Sequence, residues 1–242
     1  MNVWRTIGHP QPGGIVAICD HASNQVPPGY DLGVPQAVLD DHMGWDIGAA
    51  GVTEHLAADH AIPGFLACVS RLVIDLHREE DSAGLIPEVS DGFAIRGNKS
   101  GSGNPDRAKR IATLHRPYHA ALAEWLDAAR PALILAIHSF TPRLASAGAE
   151  RPWHVGLLYN QDARAARHAI ELFGAEDGMM VGDNEPYSGL LLNATQNRHA
   201  EAHGRPYCAI ELRNDLIRDT AGRRDWAARI AHVAGEVARR LG

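Results

Sequence analysis

The sequence has 242 residues, of which 45% are hydrophobic and 21% are charged, and its formal net charge at pH 7 is -6. A chain of this length buries about 70–75% of the surface that its unfolded form exposes, so it needs neither disulfides nor a structural metal to complete a core. The acidic charge balance and the lack of a Lys/Arg-rich block argue against nucleic-acid binding. No window approaches the run of about 18 apolar residues that spans a bilayer, which argues against a membrane protein.

Three cysteines, Cys19, Cys68 and Cys208, each lie in an apolar run. An odd number of cysteines in such runs is typical of reduced thiols, so we expect a cytoplasmic protein. The first fourteen residues lack the basic start and apolar stretch of a secretion signal, in agreement with that expectation.

Short apolar runs alternate along the chain with longer amphipathic stretches. The apolar runs predict strands at Gly14–Cys19, Gly64–Val69, Leu72–Leu76, Ala132–Ile137, Val155–Tyr159 and Tyr207–Leu212. The amphipathic stretches predict helices at Gln36–Asp59, Asp106–Arg130 with a kink at Pro117, Asp162–Phe173 and Arg223–Leu241. We therefore expect an α/β fold, a single domain over residues 1–242 with three α/β/α layers and a mostly parallel mixed sheet.

One segment, Asp81–Pro105, interrupts this alternation because it is rich in glycine and proline and has almost no periodic apolar residues. Irregular segments of this length are uncommon within a domain unless they are functional or mobile. We interpret it as a flap over an active site, and the alternative is a surface loop without a function.

Groups that bind metals or transfer protons lie at the ends of three predicted strands, and these are His21, His138 and Glu211. In open α/β sheets, ligands bind beyond the carboxyl ends of the strands, so the three side chains could share one rim. Zinc in hydrolases is commonly bound by two histidines and a carboxylate, with one position left for water. We predict one Zn²⁺ per chain bound by His21 and His138, with Glu211 as the general base.

The third metal ligand has three candidates. Asp46 ranks first because it lies early in the predicted helix that follows the first strand, and a helix packed on that strand can direct it to the rim. Asn24 ranks second, since an amide oxygen is a poorer zinc ligand than a carboxylate. Asp20 ranks third because neighbouring residues that leave a strand tend to point in opposite directions.

Several stretches, in this order along the chain, resemble the N-formylglutamate amidohydrolase family. They are Cys19–Asn24, Trp45–Gly48, Ser70–Asp75, Leu85–Gly92, His138–Pro142, Gly182–Gly189 and Glu211–Ile217. The resemblance implies removal of the formyl group from N-formylglutamate, which yields formate and glutamate, and a hydrolase fold related to the zinc carboxypeptidases. It also implies that His138 lies on the strand that supplies the second zinc histidine and Glu211 on the strand of the catalytic glutamate.

The chain departs from the carboxypeptidase pattern at Asn24, where those enzymes have a zinc-binding glutamate. Zinc-dependent peptidoglycan amidases of similar architecture take this ligand from the following helix, which favours Asp46. The chain is similar to the broader part of the family, so the reaction type transfers more safely than the substrate.

The predicted substrate is a small anionic N-acyl amino acid, which arginine side chains would bind through its carboxylate. The candidate substrate-binding residues near the motifs are Asn24, Arg71, Arg78, Arg143, Tyr187 and Arg213. Among the arginines we favour Arg71, because it follows a predicted strand at the same rim, with Asp75 as its structural partner. Two alternatives remain open at this point: a binding protein that kept the fold without catalysis, and a serine hydrolase with Ser139 as its nucleophile. The second is disfavoured because the sequence has no G-x-S-x-G motif.

Overall fold

The computed structural model describes residues 2–99 and 106–242. Nine strands occur in this part of the chain, seven of them in one sheet. The strands are β1 (Trp4–Ile7), β2 (Ile15–Cys19), β3 (Gly64–Ala67), β4 (Val89–Ser90), β5 (Phe93–Ala94), β6 (Leu133–Phe140), β7 (Val155–Leu158), β8 (Val181–Asp183) and β9 (Tyr207–Arg213).

The main sheet has the strand order β1-β3-β2-β6-β9-β7-β8. Its neighbours are parallel except at two positions, where β1 pairs with β3 and β7 pairs with β9 in antiparallel fashion. All eight residues of the central strand β6 are buried, which explains its nearly continuous apolar sequence. The predicted mostly parallel mixed sheet is confirmed.

Seven α-helices accompany the strands in the described residues. They are α1 (Gln36–Asp40), α2 (Ala49–His60), α3 (Arg107–Arg110), α4 (Arg116–Ala129), α5 (Arg164–Gly174), α6 (Ala194–His199) and α7 (Thr220–Leu241). Side chains of α2, α5 and α7 pack on one face of the sheet in one apolar cluster, and α4 packs on the other face in a second cluster. Alternate residues of β2 enter the two clusters, as the two-residue period of a strand requires. The α/β fold with helices on both faces is therefore confirmed.

Three predicted elements differ from the structure. The predicted helix Gln36–Asp59 is divided into α1 and α2 by a turn over residues 41–48, and Leu72–Leu76 is buried but forms no strand. The predicted helix Asp106–Arg130 contains a π-helical turn, Ile111–His115, and Pro117 follows it in the first turn of α4. Strands β1 and β8 were not predicted.

Two glycines account for the turn between α1 and α2. A Cβ atom on Gly44 would lie 2.2 Å from the carbonyl oxygen of Leu39, and one on Gly48 would lie 2.4 Å from that of Ile217. Gly48 also has a φ of +85°, a backbone conformation that residues with a side chain rarely adopt. The turn therefore depends on glycine, and a continuous helix is not formed.

The described part of the segment 81–105 is anchored to the rest of the protein at two places, while residues 100–105 lie outside the described residues. Asn98 donates hydrogen bonds to the carbonyl oxygens of Leu72 and Pro87. At the turn of the β4–β5 hairpin, Asp91 accepts hydrogen bonds from the backbone N–H groups of Ala145 and Ser146. The described part is thus tied down; its role as an active-site flap stays a prediction.

No helix in residues 2–99 and 106–242 is both long enough and apolar enough to cross a lipid bilayer.

Candidate metal and catalytic site

Most of the residues predicted for the site line one cavity of about 180 Å³. His138 and Glu211 lie opposite each other on the paired strands β6 and β9, and His21 follows β2, the other neighbour of β6. The carboxyl ends of these three parallel strands meet at one edge of the sheet, as expected for an α/β fold. The lining comprises His21, His42, Asp46, Arg71, His77, Arg78, His138, Ser139, Phe140, Thr141, Leu158, Tyr187, Leu192 and Glu211.

His21, Asp46 and His138 form a group that could hold a metal ion, with one donor atom of each residue within 4.8 Å of the others. Asp46 Oδ2 lies 2.9 Å from Nδ1 of His138 and 3.3 Å from Nδ1 of His21. All three residues are buried. Two imidazoles and one carboxylate are a donor set that suits zinc.

Asp46 is held in place by the backbone around it, although it does not lie on a helix as expected. It lies in the turn between α1 and α2, where its N–H donates to the carbonyl oxygen of His21. The N–H of Ser139 donates to Asp46 Oδ2 at 3.2 Å, and Arg71 donates to Oδ1 at 3.0 Å. The helical reasoning for Asp46 was wrong, but the residue lies beside both histidines.

The charges in this group depend strongly on one another. Burial and Arg71 disfavour a charged His21, but Asp75 and Asp46 outweigh them and raise the pKa of His21 to about 9. Burial disfavours a charged Asp46 as well, yet His21, His138 and Arg71 hold the pKa of Asp46 well below its usual range. A buried carboxylate in contact with two imidazoles is thus compensated by positive charge, which a bound cation would also supply.

Asp20, the third candidate ligand, lies on the other side of His138. It forms a second group with His77 and His138 that could hold a cation, with Oδ2 3.2 Å from Nδ1 of His77 and 3.8 Å from Nε2 of His138. The hydroxyl of Tyr118 donates to Asp20 Oδ1 at 2.6 Å. His77 was not predicted as a site residue, although it follows the apolar run Leu72–Leu76. The same signal, a polar side chain at the end of an apolar run, marks His21 and His138.

Arg71 and Arg78 both line the cavity, but their guanidinium groups differ in how closely carboxylates hold them. Arg71 donates to Asp46 Oδ1 at 3.0 Å and to Asp75 Oδ2 at 3.2 Å. Arg78 makes a longer contact of 3.5 Å through Nε to Asp75. Arg71 is therefore held between two carboxylates, whereas the end of the Arg78 guanidinium is less constrained.

Glu211 is buried at the same edge, and its Oε2 atom has no hydrogen-bond partner among the described residues. Burial and the nearby Asp46 raise the pKa of Glu211 to about 8, against the opposing effects of Arg71, His21 and Arg151. Burial and the nearby Glu211 raise the pKa of Tyr187. The hydroxyl of Tyr187 accepts a hydrogen bond from Arg151 at 3.0 Å. A carboxyl group that titrates near neutral pH in a cavity is suited to proton transfer.

The sequence matches the model of the N-formylglutamate amidohydrolase family over residues 13–218. The chain belongs to this family. The family resemblance predicted from the sequence motifs is thereby confirmed, and the chain is related to amidohydrolases. No relative was found among the curated proteins.

Two solved structures are similar to this N-formylglutamate amidohydrolase family member. A gene product of Agrobacterium tumefaciens is 28% identical with a TM-score of 0.91, and the match covers 100% of this chain and 96% of that one. An N-formylglutamate amidohydrolase from Ralstonia eutropha is 16% identical with a TM-score of 0.71, covering 100% of this chain and 98% of that one. The second likeness supports the fold.

Three predicted substrate-binding residues do not line the cavity of this family member. Asn24 donates to Asp40 Oδ1 at 2.9 Å, and Arg143 forms an exposed ion pair with Glu150. Arg213 donates to Asp215 and to the carbonyl oxygen of Pro152. These three residues were predicted because they lie close to the motifs in the sequence. In the folded protein, their side chains contact other residues outside the cavity.

Ser139, the nucleophile of the serine-hydrolase alternative, donates its hydroxyl hydrogen bond to the carbonyl oxygen of Ile47 at 2.9 Å. A nucleophilic serine needs a hydrogen bond to a general base. The contact of Ser139 is instead structural, because it fixes the turn that carries Asp46 against β6.

Proposed function

We propose that this chain is a zinc-dependent amidohydrolase that removes an N-formyl or other small N-acyl group from an acidic amino acid such as glutamate. The observation that carries the proposal is the convergence of His21, Asp46 and His138 beside Glu211 in one cavity that arginine side chains also line. The family assignment supports the hydrolysis of a linear amide.

The residues present fit a zinc ion. The donor set has two imidazole nitrogens and one carboxylate oxygen, and the Oε2 atom of Glu211 in the same cavity is buried without a hydrogen-bond partner among the described residues. Such an atom is costly in a folded protein unless a further interaction compensates for it. When bound, the cation polarises the amide carbonyl and makes water acidic near neutral pH.

Glu211 is the proposed general base and acid. Its unpartnered Oε2 atom accepts a proton from the attacking water, and the same carboxyl group then donates that proton to the leaving amine. Burial makes the protonated form accessible near neutral pH, which the second of these transfers requires.

Arg78 is the proposed anchor for the substrate carboxylate, in preference to Arg71. Both arginines line the cavity, but Arg71 already donates to Asp46 and Asp75. A guanidinium binds a carboxylate through two parallel hydrogen bonds, so the less constrained Arg78 suits this role better. Arg71 instead keeps Asp46 oriented.

Tyr187 is the proposed donor to the oxygen of the scissile carbonyl. Its phenol lies in the cavity lining and is fixed by Arg151, whose guanidinium also stacks 4.9 Å from the ring centre. A fixed donor near the reacting carbonyl stabilises negative charge that develops on its oxygen.

The test is a hydrolysis screen of N-formyl, N-acetyl and N-carbamoyl amino acids, with zinc and with a chelator, combined with metal analysis. We expect about one zinc per chain and turnover of an N-acyl acidic amino acid. His138→Ala is expected to lose both zinc and activity, whereas His203→Ala, a change of an exposed histidine, should lose neither. Absence of zinc binding would leave the binding-protein alternative.

Glu211→Gln separates catalysis from metal binding. It is expected to retain zinc and to lose turnover by a factor on the order of 100 or more, as for removal of a general base. Glu150→Gln is the matched control, because Glu150 is exposed and pairs with Arg143 outside the cavity. Near-normal turnover of Glu211→Gln would exclude Glu211 from the proposed role.

A further inference from the structure

Each of the two candidate ligand histidines has an aspartate on the side of its ring that faces away from Asp46. Nε2 of His21 lies 2.7 Å from Oδ1 of Asp75, while its Nδ1 faces Asp46 at 3.3 Å. Nε2 of His138 lies 3.8 Å from Oδ2 of Asp20, while its Nδ1 faces Asp46 at 2.9 Å. The two rings therefore have the same arrangement, with Nδ1 towards the proposed metal site and Nε2 towards a separate carboxylate.

The chemistry of a neutral imidazole explains why the second carboxylate matters. The ring carries one proton, so a nitrogen that binds a metal must be unprotonated and the other must be an N–H group. A buried N–H group needs an acceptor, and a carboxylate in that place fixes the tautomer and makes the metal-binding nitrogen more basic. Asp75 already fulfils this requirement for His21.

His138 and Asp20 have complementary unsatisfied atoms. Nε2 of His138 and Oδ2 of Asp20 are both buried without a hydrogen-bond partner among residues 2–99 and 106–242. His138 is 4% exposed and Asp20 is 1% exposed, so neither atom is compensated by bulk solvent. One atom can donate and the other can accept, and a displacement of less than 1 Å would bring them within hydrogen-bond distance.

The surroundings of Asp20 hold its carboxylate where it can serve this purpose. The Tyr118 hydroxyl donates to Oδ1 at 2.6 Å, which leaves Oδ2 for other groups. His77 Nδ1 lies 3.2 Å from Oδ2 but is itself hydrogen-bonded to Thr195 Oγ1 at 3.0 Å.

We propose that Asp75 and Asp20 are positioning residues, which hold the Nε2–H groups of His21 and His138 and thereby direct both Nδ1 atoms at a single cation. This inference rests on the proposed metal site at His21, Asp46 and His138. Loss of such a partner typically lowers metal affinity by about 10- to 100-fold.

A different use of the same atoms would be a second cation bound by Asp20, His77 and His138. That arrangement would require His138 to present unprotonated nitrogens on both sides if the first cation were bound as well. A neutral imidazole cannot do so, because one of its nitrogens carries the proton. One cation per chain is therefore expected.

The experiment measures zinc affinity by competition with a chromophoric chelator, together with zinc stoichiometry, for the wild-type chain, Asp20→Asn and Asp75→Asn. Asp225→Asn is the matched control, because Asp225 is exposed on α7 and pairs with Arg229. We expect one zinc per wild-type chain, an affinity lowered about 10- to 100-fold in each of the two variants, and no change in the control. The two variants disturb different neighbours, since Asp75 also contacts Arg71 and Arg78 whereas Asp20 also contacts Tyr118 and His77.

A measurement on the wild-type chain keeps the test decisive if a variant does not fold. Long-range ¹H–¹⁵N spectra of histidine-labelled, zinc-loaded protein are expected to show two rings protonated at Nε2 and ligated at Nδ1. A ring of His138 protonated at Nδ1, two zinc ions per chain, or an unchanged affinity in Asp20→Asn would each overturn the proposal. Absence of zinc binding to the wild-type chain would instead contradict the proposed function.

Discussion

We expect two buried histidines, His119 and His199, to make the stability of this protein depend on pH. Nε2 of His119 donates to the carbonyl oxygen of Leu76 at 3.0 Å, so its Nδ1 must accept the 2.9 Å hydrogen bond from Nε2 of His199. A proton added to Nδ1 of His119 would face another N–H group. Both rings are at most 5% exposed and stack with their centres 5.1 Å apart.

Burial lowers the pKa of His119 to about 2 and that of His199 to about 4, and repulsion from neighbouring histidines and Arg198 contributes. Both values lie below the ordinary value of 6.5, so the unfolded chain binds more protons below that pH. Stability is therefore full above pH 6.5 and falls as the pH falls towards about 4. At pH 5 each histidine lowers the free energy of unfolding by about 2 kcal/mol, or about 4 kcal/mol together. A loss of this size is a large part of the 5–15 kcal/mol typical of domains.

The assay is urea unfolding of metal-free protein at pH 7 and pH 5, followed by tryptophan fluorescence. His21 opposes this loss slightly, because its pKa is raised and its stabilising contribution still increases between pH 7 and 6.5, but it does so equally in wild type and in His199→Gln. His199→Gln is expected to reduce the loss between the two pH values by about 2 kcal/mol, whereas His232→Gln, which changes an exposed histidine on α7, should not. An equal loss in wild type and His199→Gln would refute the reasoning.

Three further predictions concern the anchor, the hairpin and the core. Arg78→Lys should raise the KM for an N-acyl amino acid about tenfold with a smaller change in kcat, because lysine cannot form the two parallel hydrogen bonds; an equal effect on a carboxamide analogue would contradict this. Asp91→Ala should accelerate proteolysis within residues 143–150, since Asp91 accepts hydrogen bonds from Ala145 and Ser146; an unchanged cleavage rate would argue against the contact. Leu122→Ala should lower the free energy of unfolding by 2–5 kcal/mol in urea, because Leu122 is fully buried on α4; a loss below 1 kcal/mol would mean that the core relaxes around the change.

The fold class could be predicted because apolar periodicity reports burial directly. The run Leu133–Phe140 is buried on both faces and forms the central strand, as its composition indicates. The run Leu72–Leu76 is equally apolar and equally buried, yet it forms turns. A short apolar run shows that a segment is buried, but backbone pairing decides whether it is a strand.

The short outer strands β1 and β8 show the opposite case, in which a strand forms without an apolar run that predicts it. Two residues of β1 are exposed, and β8 lies in a stretch that reads as a polar loop. Edge strands are held by their single neighbour rather than by an apolar sequence, so their composition gives little signal.

The sequence by itself determined which strands carry His21, His138 and Glu211 towards one edge of the sheet, because parallel strands share the direction of their carboxyl ends. Only the tertiary structure decided that Asp46 reaches the same place from a glycine-dependent turn, and that Asn24, Arg143 and Arg213 do not line the cavity. The physical reason is the sequence distance over which each feature is determined. The direction of a strand follows from a short run of consecutive residues. The position of a turn depends instead on contacts with distant segments, such as that of Gly48 with Ile217.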